Sequence, residues 1–126
     1  NGASNSRIRL PGTNSPLNAN DPYAAAIKKQ KMAEYLKKRA HYLDAIGVVN
    51  YAVECAAISD GSILSYNYLM AFLRETGFAN DEDLQDLTAK ARESGRRRGR
   101  EAGACEFWKQ NPELVLQLRR ASMTAP

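Results

Sequence analysis

Four small residues at intervals of four, Ala91, Gly95, Gly99 and Gly103, constrain the fold of this chain more than any other feature. On a helix, this spacing aligns them in one column beside the leucines of the same segment. Each interior glycine costs a helix about 1 kcal/mol relative to alanine, a cost that close packing must offset. Small residues let another backbone approach closely, a steric rule best known from membrane helices. The column therefore predicts a helix packed against a second helix; the alternative is that the glycines break it into a loop.

The same segment carries five arginines, which helical geometry divides into groups. Arg97 lies four residues from both Glu93 and Glu101, so we expect its charge to be neutralised locally. Arg98 points towards the leucine and alanine face, where it either pairs with Glu54 or reaches solvent at the edge of the bundle. A third group has no interleaved acids and consists of Arg92, Arg96 and Arg100. We expect this arginine stripe to be either a solvated face or a binding site for an anion or an acidic partner.

Apolar residues at helical spacing predict an all-α fold, a small bundle of four to six helices over residues 21–122. Asp21 is the expected N-cap of the first helix, and Pro22 is its expected first residue. The helical pattern continues from Tyr23 to Ile58. Within it, Gly47 predicts a bend or a break between two helices.

Three further helices are expected beyond this region, and no strand pattern of useful length is present. A glycine-based C-cap at Gly77 ends the first of them, and acidic residues favoured by the helix dipole open the second. The expected helices are Ser62–Thr76, a segment from Asn80 or Asp81 to about Lys109, and a last one from Asn111–Pro112 to about Ala121.

Residues 1–20 have a different composition from the rest of the chain. They are polar, and Gly2, Pro11, Gly12 and Pro16 interrupt regular structure. Too few apolar residues are present for this segment to fold alone. We therefore expect an extended polar arm that lies on its own domain or on a partner. The chain starts without methionine or a visible export signal, so we expect either a removed targeting segment or a trimmed start.

Cys55 and Cys105 lie fifty residues apart, a spacing that matches no CxxC redox or zinc motif. Both fall on predicted core-facing positions of helices. The sequence favours a disulfide between them, and with it an extracytoplasmic location, periplasmic or secreted. Two reduced, buried cysteines in a cytoplasmic protein are the alternative.

The expected helix Ser62–Thr76 is apolar on nearly every face, with Asn67 and Arg74 on a narrow polar side. Such a helix is either central in a small bundle or half covered by a partner. Tyrosine and methionine are enriched at protein interfaces. The candidate partner-binding residues of this helix are therefore Tyr66, Tyr68 and Phe72.

The sequence contains no recognisable catalytic constellation, so we expect a protein that is not an enzyme and uses no cofactor. The single histidine, His41, follows Lys37, Lys38 and Arg39 and is expected at the surface. No HExxH motif, EF-hand loop or phosphate-binding loop is present, which argues against a metal site. No run of about 18 apolar residues predicts a transmembrane helix.

The net charge of +4 and the pI of about 9.2 permit an anionic partner without requiring one. Nucleic acid is the weaker hypothesis, because no DNA- or RNA-binding motif and no aromatic interleaving accompany the arginines. We expect a non-catalytic protein-interaction or assembly subunit whose partner is another protein. The alternatives are a basic module that binds nucleic acid or another polyanion through the arginine stripe, and an unrecognised enzyme.

Overall fold

The computed structural model describes residues 7–9, 16–18, 21–77 and 80–124. The described residues form a small bundle of five helices, which confirms the expected all-α class. The helices are α1 (Pro22–Glu54), α2 (Ser62–Thr76), α3 (Asp81–Arg100), α4 (Glu106–Lys109) and α5 (Pro112–Ala121).

Two three-residue strands precede the helices and were not expected from the sequence. β1 (Arg7–Arg9) pairs antiparallel with β2 (Pro16–Asn18), and Ile8 lies opposite Leu17. β2 lies beside α1. Strands this short carry no readable alternation of apolar and polar residues, which is why the sequence did not reveal them. The rest of the expected arm lies outside the described residues.

Helix α1 is a single uninterrupted helix, so the predicted break between two helices at Gly47 was wrong. The other alternative, a bend at Gly47, stays a prediction. Its start agrees with the sequence: Pro22 is the first helical residue, and the Asp21 carboxylate accepts a hydrogen bond from the Tyr23 amide at 2.9 Å. Its end comes earlier than the pattern suggested. Ala56 adopts a left-handed conformation with φ 59°, so the chain turns after Glu54 and does not continue helically to Ile58.

Helix α3 begins at Asp81 with Asn80 as its cap, in a capping box with Asp83. It ends at Arg100, so the predicted continuation to about Lys109 was wrong. Gly103, with φ 75°, lies in the connection that follows. Gly95 and Gly99 lie within α3 and pack closely against α1, which confirms the predicted packing for these two glycines. For Gly103, the alternative of a loop is confirmed.

Helices α2 and α5 have the bounds that the sequence predicts. Gly77 adopts the left-handed conformation after α2, with φ 62°, and its amide donates to the Leu73 carbonyl. Such a residue satisfies a carbonyl group at the end of a helix at little steric cost. Pro112 occupies the first turn of α5.

Two apolar clusters follow one another along α1. The first joins α1, α2 and α3 and contains Tyr42, Ile46, Phe72, Leu87 and Ala91. The second surrounds the C-terminal end of α1 and contains Val49, Tyr51, Ala52, Ala57, Ile58, Leu64, Trp108 and Val115. Tyr68 packs against both clusters, so α2 links them into one core.

A disulfide joins Cys55, just after α1, to Cys105, just before α4. The Cα atoms are 5.4 Å apart and the sulfur atoms 2.13 Å apart. The bridge ties the end of the longest helix to the connection after α3. It confirms the pairing that the sequence favoured.

Candidate functional site

The orientation of α3 is fixed by backbone contact with α1. A Cβ atom at Gly95 would overlap the Gly47 carbonyl oxygen and lie 2.8 Å from the Tyr51 backbone nitrogen. A Cβ atom at Gly99 would lie 2.7 Å from the side chain of Glu54. Only glycine permits this approach, so the small-residue column faces α1. The five arginines of α3 lie beside this close contact and are all exposed.

Three of these arginines have partners within the described part of the chain. Arg97 forms an ion pair with Glu93, as the sequence predicted. Arg100 Nε lies 3.5 Å from Glu54 Oε2. The guanidinium carbon of Arg98 lies 4.4 Å from the centre of the Tyr51 ring, which is cation–π geometry.

Of the two alternatives for Arg98, pairing with Glu54 was therefore wrong, and an exposed side chain at the edge of the bundle is confirmed. Gly99 lets Glu54 lie against α3, and Arg100 is the arginine that reaches its carboxylate. Arg98 instead lies over the ring of Tyr51, a buried residue of the core. The arginine stripe is shortened by the same contact, because Arg100 no longer offers an unpaired charge.

Arg92 and Arg96, the other two members of the stripe, meet Tyr66 in one groove. This basic–aromatic groove, defined by Tyr66, Arg92 and Arg96, has a volume of about 400 Å³ and lies between α3, the start of α2 and the turn after α1. Val53 and Leu69 supply apolar wall. Both arginines are exposed, and within the residues that the structure describes neither has an ion-pair partner. Tyr66 is 49% exposed.

One carboxylate also lines the groove. Asp60 accepts hydrogen bonds from the Ser62 hydroxyl at 2.6 Å and from the Ser62 amide at 2.9 Å. The hydrogen bond from the Ser62 hydroxyl, and to a smaller extent the bond from the Ser62 amide, lowers the pKa of the Asp60 carboxyl below its usual value. Asp60 therefore stays ionised at neutral pH, and its oxygen is engaged at the start of α2. The groove carries two guanidinium groups and one carboxylate, whose Oδ1 accepts both hydrogen bonds from Ser62.

The other two aromatic candidates of α2 face inward. Phe72 is fully buried, with its ring 5.8 Å from the ring of Tyr42. Tyr68 is half-buried between the two clusters. Phe72 is therefore a core residue and is not available to a partner. Of the three aromatic residues, Tyr66 is the one that the fold presents on the surface.

A second depression was missed by the sequence reasoning. This disulfide cleft, with a volume of about 470 Å³, is bounded by the Cys55–Cys105 bridge, Trp108, Leu116 and Arg119. Trp108 is 4% exposed, and its indole Nε1 has no hydrogen-bond partner among the described residues. The disulfide brings together two segments whose cysteines are fifty residues apart in the sequence, so no local motif could have indicated the cleft.

The described residues contain no group of three or more histidine, cysteine or acidic side chains placed to hold a metal ion. His41 is exposed and stacks edge-on against Tyr42. Over the same residues, no helix is both long and apolar enough to cross a membrane. Comparison with protein-family models, curated proteins and solved structures found no match to this chain.

Proposed function

We propose that this protein is a non-catalytic interaction subunit that binds an acidic segment of a partner protein in the basic–aromatic groove. One observation carries the proposal. Arg92 and Arg96 are exposed, lack an ion-pair partner in the described part of the chain, and share the groove with a half-exposed tyrosine. Arginine and tyrosine are enriched among the residues that dominate protein interfaces.

The spacing of the two arginines suits an extended acidic segment. Residues four apart on a helix are separated by about 6 Å along its axis. Carboxylates at alternate positions of an extended chain are separated by about 6.6 Å and point to the same side. Each guanidinium then takes one carboxylate in a charge-assisted contact, and Tyr66 packs against the chain between them. Binding also relieves the repulsion between the two like charges.

The alternative is a nucleic acid or another polyanion bound along the arginine stripe. Two features favour the protein partner over it. Arg100 already contacts Glu54, which leaves a short stripe of two arginines, whereas nucleic-acid binders neutralise many phosphates. Asp60 also places a carboxylate in the groove, where it would repel a continuous line of phosphates. A protein segment can place a neutral residue beside Asp60.

We also propose that the protein works in an oxidising compartment, periplasmic or secreted. The Cys55–Cys105 disulfide supports this, because disulfides are rare in reducing cytosol. Alkylation of cells from the source organism before lysis, followed by intact-mass measurement, tests the location. Two alkylated thiols in the native protein would contradict it.

Removal of the two groove charges tests the binding proposal. Arg92→Ala/Arg96→Ala should lose the partner protein on affinity purification from the source organism. A double variant that removes the same charge elsewhere, Lys37→Ala/Arg120→Ala, is the matched control and should keep it. Equal retention by both double variants would exclude the groove. A captured species that is nucleic acid and is lost steeply with added salt would favour the alternative.

A further inference from the structure

We infer that the disulfide cleft is a binding site for a small aliphatic carboxylate, a second function that shares no residue with the basic–aromatic groove. The two sites lie at different ends of the turn after α1 and have different linings. A negative result at one site therefore leaves the proposal for the other site unaffected.

The floor of the cleft is suited to a hydrocarbon chain. It is formed by the disulfide, the Trp108 ring and the side chains of Val115 and Leu116. Leu116 is 49% exposed at its edge, although a leucine on an amphipathic helix is ordinarily buried. A volume of about 470 Å³ falls in the range of small-molecule sites, which are mostly apolar with a few polar groups.

The charge at the rim selects an anionic end group. Arg119 lines the cleft, and its Nε donates a hydrogen bond to the Ala57 carbonyl at 2.9 Å. This bond fixes the guanidinium at the cleft and leaves its two terminal nitrogens available. Arg119 has no ion-pair partner in the described ranges. The one other charged lining residue, Lys109, is also a cation and is paired with Glu106. A carboxylate is an end group that a guanidinium binds with matched geometry.

The Trp108 ring is 4% exposed and adds apolar surface to the cleft. The combination of an apolar floor and a cationic rim therefore favours an aliphatic carboxylate such as decanoate.

Trp108 is the only tryptophan of the chain, so its fluorescence reports on the cleft directly. Titration with decanoate below its micellar concentration should give a saturable change in Trp108 emission. Decanol has the same chain without the charge, and acetate has the charge without the chain; each should bind at least tenfold more weakly. No saturable change with decanoate, or equal binding of decanol, would overturn the inference.

Matched variants locate the site. Arg119→Met should weaken decanoate binding at least tenfold, and Arg120→Met, one residue along on an exposed position, should leave it unchanged. Leu116→Asp places an anion on an exposed edge of the cleft and should abolish binding while circular dichroism stays unchanged. Unchanged affinity in both cleft variants would overturn the proposal. A peptide with a C-terminal leucine that binds the cleft as strongly as decanoate would indicate that the cleft binds a protein terminus. That result would also overturn the proposal.

Discussion

Replacing Gly95 with alanine adds one methyl group at the closest point between α1 and α3. That methyl group would overlap the Gly47 carbonyl oxygen and lie 2.6 Å from Asn50 Cβ and 2.8 Å from the Tyr51 backbone nitrogen. Two of the three atoms belong to the backbone of α1. Rotation of a side chain therefore cannot relieve the overlap, and the two helices must separate.

The cost follows from two opposing effects. Overpacking a well-packed site typically costs about 1–3 kcal/mol, and contact with backbone places this site at about 3 kcal/mol. Alanine improves helix propensity by about 1 kcal/mol relative to glycine. We therefore expect Gly95→Ala to lower the free energy of unfolding by about 2 kcal/mol. For a chain of this size, such a loss lowers the melting temperature by roughly 8 °C.

Gly47→Ala is the matched control, because it makes the same chemical change across the same helix contact. A Cβ atom at Gly47 would meet its nearest neighbour, the Ala91 carbonyl oxygen, at 3.8 Å, an ordinary van der Waals distance. The propensity gain should then dominate, and the variant should be up to about 1 kcal/mol more stable. Urea unfolding followed by circular dichroism measures both. A stabilised Gly95→Ala, or equal effects of the two substitutions, would refute the close approach of these helices.

Three further predictions concern the bridge, the core and alkaline pH. The double variant Cys55→Ser/Cys105→Ser should lose roughly 4 kcal/mol in urea unfolding, the chain-entropy value for a loop of this length; no loss would mean that the bridge constrains nothing. Phe72→Ala should cost about 3–5 kcal/mol, since it empties a fully buried site, and a loss below 1 kcal/mol would contradict that burial. The hydrogen bond that Tyr42 donates to Glu75 is the larger cause, and burial the smaller, of a rise in the pKa of Tyr42 from 10.0 to about 12. This contribution to stability is present below pH 10 and is lost towards pH 12. The free energy of unfolding of Tyr42→Phe should therefore fall less steeply between pH 10 and pH 12 than that of the wild type. Equal slopes for the two proteins would contradict the prediction.

Local chemistry explains what the sequence predicted correctly. Asp21, Pro22 and Gly77 act on groups within a few residues of themselves, so their capping roles are visible without the fold. The spacing of Gly95 and Gly99 was also enough to predict that their helix packs closely against another, because a column of glycines on a helix needs a packing partner.

The errors arose where a partner distant in sequence decided the outcome. Gly47 looks like a break locally, but α1 continues through it, and Gly95 packs against its carbonyl oxygen. Pairing with Glu54 was one of two alternatives for Arg98 from its direction on α3, but Arg100 makes that contact and Arg98 lies over Tyr51. These contacts depend on the rotation of two packed helices, which periodicity alone does not fix.

The candidate sites divide in the same way. Arg92 and Arg96 were recognisable because they belong to a column with a spacing of four residues in which no acid is interleaved. Their meeting with Tyr66 depends on how α2 packs beside α3, and the burial of Phe72 on the same helix depends on it equally. The disulfide cleft joins residues just after α1 to residues of α4 and α5, and the pairing of Cys55 with Cys105 brings these distant segments together.

Site-specific photo-crosslinking tests the binding proposal most directly. A photoreactive phenylalanine derivative in place of Tyr66 lies inside the basic–aromatic groove, and the same derivative in place of Tyr23, which is 75% exposed outside it, is the control. In cells of the source organism, we predict a discrete crosslink to one protein from position 66 that position 23 does not give. The crosslinked peptide should carry acidic residues at alternate positions, and Arg92→Ala/Arg96→Ala should remove the product. No protein crosslink at position 66, or a crosslink that persists without the two arginines, would contradict the proposed function.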